Sequence, residues 1–225
     1  MPVGIVTGAS RGLGRALTHA LVDRGWRIVV DARDGAALRS EWGYPPHDVV
    51  IPGDIAHPAH RRALVDAAGD SIDLVVNNAS NLGPSPLPPL AAYPLTELAR
   101  VYEVNVLAPL GLIQLALPRL EPGAVVINMT SDAAVEPYET WGGYGSSKAA
   151  LEQLTAILAA EHPELRVYAV DPGDMRTQMQ QDAFPGEDIS DRPPPEESVP
   201  GLLALIEGSS PSGRYRAREL AGVEA

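Results

Sequence analysis

The chain has 225 residues, 45% of them hydrophobic, and a formal net charge of -12 at pH 7. This length fits one domain with a substantial core, and the acidic balance disfavours nucleic acid or an anionic membrane as a partner. The chain has no cysteine, which excludes disulfides and thiolate chemistry. It starts on a strand-like run rather than a leader and has no run of about 18 apolar residues, so we expect a soluble, cytoplasmic protein.

Short apolar runs alternate with longer amphipathic ones along the chain. The runs typical of strands are Val3–Thr7, Ile28–Asp31, Val49–Ile51, Leu74–Val76, Ala124–Asn128 and Val167–Val170, with a further strand near Arg214–Ala217. Helical patterns cover Leu13–Arg24, Ala59–Ala68, Leu95–Leu107, an apolar continuation to Leu117, and Gly143–Glu161. The strands are nearly continuous in apolar residues, as in parallel strands buried on both faces. The alternation predicts an α/β fold, a single doubly wound Rossmann domain over residues 1–225 with about seven parallel strands.

Two further patterns concern loops and assembly. Residues 81–94 and 184–200 are rich in proline, and we expect stiff loops there. The stretches Asn105–Leu117 and Ala149–Ala160 are apolar on nearly every side. Such helices are buried in a core or in a subunit interface, so we expect a homodimer or homotetramer.

The loop between the first strand and the first helix is rich in glycine, reading TGASRGLG over residues 7–14. Glycines permit a tight turn and close approach of the backbone to a pyrophosphate, and the helix start offers free N–H groups. A glycine-rich loop alone is a weak signal, and its position between a strand and a helix strengthens it. We expect a dinucleotide to be bound here by Gly8, Ser10, Arg11, Gly12, Leu13 and Gly14.

The chain contains one lysine, Lys148, four residues after Tyr144. A lone lysine in an arginine-rich chain indicates a position where a compact ammonium is needed and a guanidinium cannot substitute. One helical turn places both side chains on one face, where the cation would lower the pKa of the tyrosine from about 10. Taken alone, the pair fits an ordinary solvated helix equally well.

Six short motifs together resemble those of the short-chain dehydrogenase/reductase family, in the family's order. They are the TGxxxGxG loop, Asn77-Asn78-Ala79-Ser80 (NNAG in the family), Asn105 between two valines, Ser131 thirteen residues before Tyr144, the YxxxK of Tyr144 and Lys148, and Pro172-Gly173 with Thr177 (PGxxxT). The chain departs from the family at Ser80, in a short segment after Thr177, and in lacking an Asp-Gly-Gly signature near its end. These departures affect the expected substrate lid and tetramer interface rather than the chemistry.

The resemblance implies an oxidoreductase of the carbonyl reductase or ketoreductase type, which transfers hydride between a nicotinamide cofactor and a carbonyl or secondary alcohol. It implies that Tyr144 is the general acid or base, that Lys148 lowers its pKa and holds the ribose, that Ser131 stabilises the carbonyl oxygen, and that Asn105 holds a water. Further implied cofactor contacts are Asp54, Ile55, Asn78, Ala79, Pro172, Gly173 and Thr177. The implied substrate-side segment spans residues 174–208. The alternative is a catalytically silent dinucleotide-sensing protein, which would usually have lost the tyrosine or the lysine.

The end of the second strand bears on the choice between NADP and NAD. A carboxylate there can bind the ribose 2′-hydroxyl of NAD, and an arginine can pair with the 2′-phosphate of NADP. Ala32-Arg33 resembles NADP-preferring members, whereas NAD-preferring members carry aspartate at the position aligned with Ala32. Alternation along the strand should turn Asp31 to the opposite face. We therefore expect NADP, with Arg33 and Arg11 as the cations.

The substrate is expected to be a small molecule with a carbonyl or hydroxyl group. Apolar candidates for its pocket are Leu82, Trp141, Met175, Met179 and Phe184. They favour a hydrophobic or aromatic ketone. The histidines lack metal-ligand spacing, so we expect no metal site and interpret all of them as surface residues: His19, His47, His57, His60 and His162.

Overall fold

The computed structural model of the chain describes residues 1–42 and 49–220. Its strands are β1 (Val3–Val6), β2 (Arg27–Ala32), β3 (Val49–Pro52), β4 (Ile72–Asn77), β5 (Leu120–Met129), β6 (Arg166–Asp171) and β7 (Gly213–Arg216). They form one seven-stranded sheet in the order β3-β2-β1-β4-β5-β6-β7, and every neighbouring pair is parallel. The order reverses between β1 and β4, and in open α/β sheets ligands bind at this kind of switch point.

The helices cover both faces of the sheet. They are α1 (Gly12–Val22), α2 (Gly35–Trp42), α3 (Pro58–Ala68), α4 (Leu95–Tyr102), α5 (Ala108–Ala116), α6 (Gly142–Glu161), α7 (Gln178–Ala183), α8 (Val199–Glu207) and α9 (Ala217–Leu220). A π-helical turn, Glu103–Leu107, joins α4 to α5. Short 3₁₀ turns lie at Leu90–Ala92, Leu117–Arg119, Asp132–Ala134 and Pro195–Ser198.

The core consists of a layer on each face of the sheet. On one face α1 and α8 pack against the strands through fully buried leucines, among them Leu17, Leu21 and Leu202. On the other face α3 and α5 do the same with Leu64 and Leu112. A third cluster joins α5, α6 and the strands β5 and β6. The predicted doubly wound parallel sheet is confirmed.

Four of the helices in the described residues were not predicted: α2, α7, α8 and α9. The α2 segment has a weak apolar pattern, and α7 and α9 have only six and four residues. The α8 segment follows a proline-rich tract, and residues 199–200 were assigned to a predicted loop that also contains the Pro195–Ser198 turn. The proline at the second position of α8 is compatible with a helix, because the first turn needs no backbone donor there.

The helical stretch Leu95–Arg119 is unusually apolar. By length and composition this 25-residue stretch could cross a membrane. Its most apolar 18-residue segment has a mean hydropathy of 1.4, and 44% of that segment is buried inside the protein. Charged residues such as Glu97, Arg100 and Glu103 interrupt the stretch, so it contains no unbroken apolar run of the kind sought in the sequence. Ala108, Leu112 and Ala116 of this stretch belong to the core beneath the sheet, which is the packing of a core helix.

Candidate active site

The glycine-rich loop after β1 is tied closely to the loop after β4. The Asn78 side chain donates to the carbonyl oxygens of Thr7 (2.8 Å) and Gly8 (3.2 Å), and the Thr7 hydroxyl accepts from the backbone of Asn78 and Ala79. Gly8 has φ 71°, and a Cβ there would lie 3.0 Å from the Ala79 Cα. A Cβ on Gly14 would lie 2.5 Å from the Gly8 carbonyl oxygen. The result is a tight backbone cradle at the start of α1, with no room for side chains at Gly8 and Gly14, and it fits the pyrophosphate of a dinucleotide.

Asp31 lies beneath this cradle. One of its carboxylate oxygens accepts from the Gly8 N–H at 2.7 Å, and the other is 2.9 Å from the His60 ring nitrogen Nε2. Asp31 is 2% exposed and the His60 side chain 9%. The expectation that His60 is a surface residue was therefore wrong, because α3 carries its ring under the loop. Both carboxylate oxygens of Asp31 therefore have partners within the protein. This agrees with the expectation that Asp31 and Ala32 point to opposite faces of β2.

The other predicted cofactor residues lie around the same edge of the sheet. Arg11 and Arg33 are exposed, Ser10 is half-buried and Leu13 is buried. Ile55 is buried, and the Asp54 carboxylate accepts from the Ala56 N–H at 2.9 Å. A Cβ on Gly12 would lie 3.5 Å from the Thr177 methyl group, so the segment after β6 passes over the loop. That segment begins with Pro172 and Gly173, and the Pro172 carbonyl oxygen accepts from Ser198 at 2.8 Å.

Tyr144 and Lys148 occupy one buried face of α6, one turn apart. The Lys148 ammonium donates to the Met129 carbonyl oxygen at 2.8 Å, at the end of β5, and lies 5.4 Å from the centroid of the Tyr144 ring. Burial lowers the pKa of Lys148 to about 7. The lone lysine is thus fully enclosed, and the alternative of a solvated surface pair is excluded.

The environment of Tyr144 differs from the sequence expectation in one respect. Burial raises the pKa of its hydroxyl, a hydrogen bond with Ser80 lowers it, and the charges of Asp171 and Asp132 raise it further. The expectation that Lys148 lowers this pKa was wrong, because Lys148 is not among the groups that shift it and its ammonium is directed at the Met129 carbonyl. At neutral pH the phenol is therefore protonated.

Asn105 lies in the π-helical turn and is completely buried. Its amide nitrogen donates to the Asn81 carbonyl oxygen and to the Ser147 hydroxyl, each at 2.9 Å. Its amide oxygen accepts from the Asn81 N–H (2.7 Å) and the Ser80 hydroxyl (3.1 Å). π-helical turns are frequent at functional sites, and this one directs the amide at the loop after β4 and at Ser147 of α6. Ser80 therefore has a larger part in this site than the mild change expected from the sequence.

Ser131 follows β5 and begins the 3₁₀ turn that leads toward α6. Its hydroxyl donates to the Asp132 carboxylate at 2.9 Å and accepts from the Ala133 N–H at 3.2 Å. The other oxygen of Asp132 accepts from the Tyr138 hydroxyl at 3.0 Å. Sequence reasoning missed Asp132, since no motif signals a carboxylate next to this serine.

Aromatic side chains surround Tyr144. The Trp141 ring centroid is 5.8 Å from that of Tyr144 and 5.9 Å from that of Phe184. Leu82 and Met179 belong to the same cluster. Met175, also predicted for this pocket, packs against the core that contains α1 and α8. Four of the five predicted apolar pocket residues thus lie together.

Among residues 1–42 and 49–220, no group of three or more histidine, cysteine, aspartate or glutamate side chains could hold a metal ion. Of the predicted surface histidines, His47 lies outside the described residues.

Comparisons with known proteins agree with this geometry. The chain is 34% identical over 195 residues to the rhamnolipids biosynthesis 3-oxoacyl-[acyl-carrier-protein] reductase of Pseudomonas aeruginosa, covering 79% of this chain and 74% of that protein. It is 34% identical over 199 residues to the sepiapterin reductase of Mus musculus, covering 80% and 76%. The crystal structure of a short-chain dehydrogenase of Shigella flexneri complexed with NADP superposes with a TM-score of 0.88, at 26% identity, covering 96% of this chain and 97% of that one.

The family profile described as short chain dehydrogenase matches residues 2–188. That range contains the glycine-rich cradle and the reversal of strand order. It also contains the side chains of Asn105, Ser131, Tyr144 and Lys148. The chain belongs to the short-chain dehydrogenase family of oxidoreductases, with its Rossmann-type sheet.

Proposed function

We propose that this protein is an NADP-dependent reductase of small carbonyl compounds. The observation that carries the proposal is the enclosure of Tyr144 and Lys148 on one face of α6, next to Asn105, which is hydrogen-bonded to Ser147 of the same helix. Ser131 follows β5, whose last residue Met129 accepts from Lys148. Carbonyl reduction requires a proton donor, a cation, a hydroxyl that binds the carbonyl oxygen, and a site for the dinucleotide, all close together.

The cradle and the loops around it fit the cofactor, which supplies the hydride when bound. Gly8, Gly12 and Gly14, with the start of α1, would hold the pyrophosphate. The other residues proposed to hold the cofactor are Ser10, Arg11, Leu13, Arg33, Asp54, Ile55, Asn78, Ala79, Tyr144, Lys148, Pro172, Gly173 and Thr177.

Proton transfer is assigned to Tyr144. Its hydroxyl O–H bond breaks as the proton moves to the substrate oxygen, and the raised pKa keeps this proton available at neutral pH. Lys148, with a pKa of about 7, stands one turn away as the cation that stabilises the phenolate left behind. Ser131 would donate its hydroxyl to the same substrate oxygen, after turning from Asp132. Asn105 holds the loop after β4 and the Ser147 hydroxyl in place beside them.

The proposed preference for NADP rests on the end of β2. The Asp31 carboxylate is occupied by Gly8 and His60, so this carboxylate of β2 is not free to bind a 2′-hydroxyl. Arg33 is exposed and available for a 2′-phosphate. The NADP complex of the Shigella flexneri protein supports the same choice.

The proposed substrate is a ketone with an apolar or aromatic substituent. Trp141, Phe184, Leu82 and Met179 offer apolar and aromatic contacts next to Tyr144. Two relatives named as reductases, of sepiapterin and of a 3-oxoacyl group, support a carbonyl substrate.

The direct test is consumption of NADPH, followed by absorbance, with a panel of aryl and alkyl ketones. We expect turnover that is faster with NADPH than with NADH. A catalytically silent dinucleotide-sensing protein would bind NADPH without turnover on any ketone, and this outcome would contradict the proposal. The intact tyrosine, lysine, serine and asparagine favour the enzyme.

We further propose that the single domain acts in the cytoplasm as a homo-oligomer built on α5 and α6. In the described chain, Leu107 at the end of the π-helical turn that leads into α5 is 52% exposed, and Ile157 on α6 is 43% exposed. Large apolar side chains exposed on two apolar helices favour a subunit interface.

A further inference from the structure

The segment that leads from the end of β5 into Ser131 is held residue by residue by charged side chains of α6 and β7. The Met129 carbonyl oxygen accepts from the single lysine at 2.8 Å. The Thr130 hydroxyl donates to the Glu152 carboxylate at 2.7 Å. The Ser131 carbonyl oxygen accepts from the Arg214 guanidinium at 3.3 Å. Of the side chains that hold this segment, only the lysine has a role in the proposed function.

Arg214 of β7 joins α6 to the ends of two strands. Its Nε donates at 2.9 Å to the same Glu152 oxygen that accepts from Thr130. Its Nη2, which donates to Ser131, also lies 3.5 Å from an Asp171 carboxylate oxygen at the end of β6. The side chains of Asp171, Glu152 and Arg214 are 6%, 16% and 28% exposed. The rigid fork of a guanidinium can hold several acceptors at once, and partial burial strengthens such contacts.

The attachment of β7 to the fold does not depend on these contacts. All four residues of β7 pair with β6 in a parallel ladder. Between α6 and β7 lies a groove of about 400 Å³, and small side chains of α6 line it: Ala149, Ala156 and Ala159. Apolar packing therefore does not fill this space, and the pair of Glu152 and Arg214 bridges it. The Ser131 carbonyl oxygen also accepts from the Ala134 N–H at 3.1 Å, so Arg214 gives this oxygen a second donor, from outside the turn.

We propose that Arg214 and Glu152 are positioning residues, which hold the backbone of Ser131 where its hydroxyl can meet the substrate oxygen. This inference rests on the proposed function. In the described structure the hydroxyl donates to Asp132, so it must turn to reach a substrate. With the backbone held at Ser131 and through Thr130, rotation of the short side chain alone is enough. A misplacement of about 1 Å in such a group can cost roughly a hundredfold in rate.

Arg214→Gln tests the proposal because glutamine lacks the fork that reaches Glu152 and Ser131 together. We expect kcat for ketone reduction to fall about tenfold or more, with the KM for NADPH within about twofold, because the lost contacts support a group that acts in the transition state. Arg216→Gln is the matched control, since this arginine of the same strand is 55% exposed and bonds to Glu219, and its kcat should not change. An unchanged kcat in Arg214→Gln, or an equal loss in Arg216→Gln, would overturn the proposal.

Glu152→Ala approaches the same contacts from α6 and protects the test against a folding defect in Arg214→Gln. Alanine favours the helix, and the change removes the acceptor that Thr130 and Arg214 share. We expect the same fall in kcat, with the KM for NADPH again unchanged. Normal turnover in a folded Glu152→Ala protein would overturn the proposal.

A double-variant comparison shows whether the effect passes through Ser131. In a Ser131→Ala background, Arg214→Gln should lower the residual kcat by no more than about twofold, because the hydroxyl to be positioned is already gone. A further loss as large as in the original background would indicate a general structural effect, against the proposal.

Hydrogen exchange separates this inference from the proposed function, because it needs no turnover. The N–H groups of Ala133 and Ala134 bond to the hydroxyl and the carbonyl oxygen of Ser131. In Arg214→Gln, peptides covering residues 129–135 should exchange about tenfold faster by mass spectrometry, and in Arg216→Gln they should not. Unchanged exchange in Arg214→Gln refutes the positioning role even if ketones are reduced. Faster exchange in a protein without turnover supports the positioning of Ser131 and refutes the proposed activity.

Discussion

At the residue scale, the site combines two buried ionisable groups whose pKa values are shifted in opposite directions. Burial raises the pKa of Tyr144 and lowers that of Lys148, so that at neutral pH the phenol keeps its proton and the ammonium is close to losing one. Each group is thereby biased toward its neutral form, which is the general effect of desolvation. A hydrogen bond with Ser80 acts against this bias at Tyr144. The proton that the substrate receives is therefore held in an environment that disfavours the charge left behind.

Tyr144→Phe should abolish reduction while leaving NADPH binding nearly intact. The ring and its contacts with Trp141 remain, and only the transferable proton is removed. Turnover and the fluorescence of bound NADPH, measured on the same preparation, check both halves of the prediction. A variant that keeps a tenth of the original kcat would contradict the role of Tyr144.

Lys148→Arg should be severely damaging although the charge is kept. The ammonium is fully enclosed and ends at the Met129 carbonyl, and a planar guanidinium cannot occupy the same point. Turnover at saturating NADPH is the measurement, with circular dichroism to confirm the fold. Arg100→Lys, an exchange at an exposed helix position, is the control and should have little effect. Near-normal activity of Lys148→Arg would refute the argument from the single lysine.

Arg33→Ala should weaken NADPH much more than NADH. Loss of a charge-assisted contact to the 2′-phosphate costs roughly 1.5–3 kcal/mol. Asp31→Asn is the comparison, because Asp31 supports the Gly8 backbone and should affect both cofactors alike. Dissociation constants for the two cofactors decide the matter. Equal losses in Arg33→Ala, or a selective loss of NADH in Asp31→Asn, would favour NAD instead.

At the element scale, the strands and most of the long helices follow from local pattern. The β-branched runs and the alternation with amphipathic segments predicted the parallel sheet, because strands buried on both faces have few polar residues. The helix α8 was missed for two reasons. Its sequence, VPGLLALIE, is apolar almost throughout and so shows no helical alternation of polar and apolar residues, and it follows a proline-rich tract. The π-helical turn at Asn105 has no local signal of its own, since it arises where α4 and α5 meet the loop after β4.

The predicted interface belongs to the helices α5 and α6. Ala156→Glu should lower the mass of the assembly or prevent folding, because Ala156 is exposed in the chain but would be covered in the oligomer, where an unpaired carboxylate is costly. Sedimentation at micromolar protein is the measurement. Ala37→Glu, at an exposed position of α2, is the control and should sediment like the original protein. A monomer in the original sequence would refute the interface.

At the scale of the whole molecule, the order of motifs along the chain predicted which loops meet, because the carboxyl ends of parallel strands share one edge. Contacts between distant side chains were beyond prediction: the Asp31–His60 pair, the bond from Ser80 to Asn105, and the position of Met175 all depend on how elements pack. The site and the stability of the fold are linked through Lys148, whose burial lowers its pKa.

Lys148→Met should stabilise the protein, and the gain should depend on pH. The pKa of Lys148 is about 7 when folded and 10.5 in its ordinary state, so between these values the unfolded chain binds a proton that the folded chain does not. The free energy of unfolding therefore rises with pH between these two values. Below pH 7 the buried Lys148 is charged, and its full destabilising effect is present. The variant should gain roughly 2–5 kcal/mol in free energy of unfolding at pH 6 and much less near pH 10. Urea denaturation at both pH values measures this, with Arg100→Met as the exposed-cation control, and a gain independent of pH would contradict it.

The position of β4 between β1 and β5 has a consequence for biosynthesis. As the chain leaves the ribosome, β1, β2 and β3 emerge first, and the edge of β1 that will receive β4 stays open until Ile72–Asn77 follows. An open strand edge invites pairing with other chains. The glycine-rich cradle is also unfinished in that interval, because Asn78 has not yet joined Thr7 and Gly8. The nascent protein thus covers this edge of β1 and completes its cofactor loop in a single event, the docking of one strand.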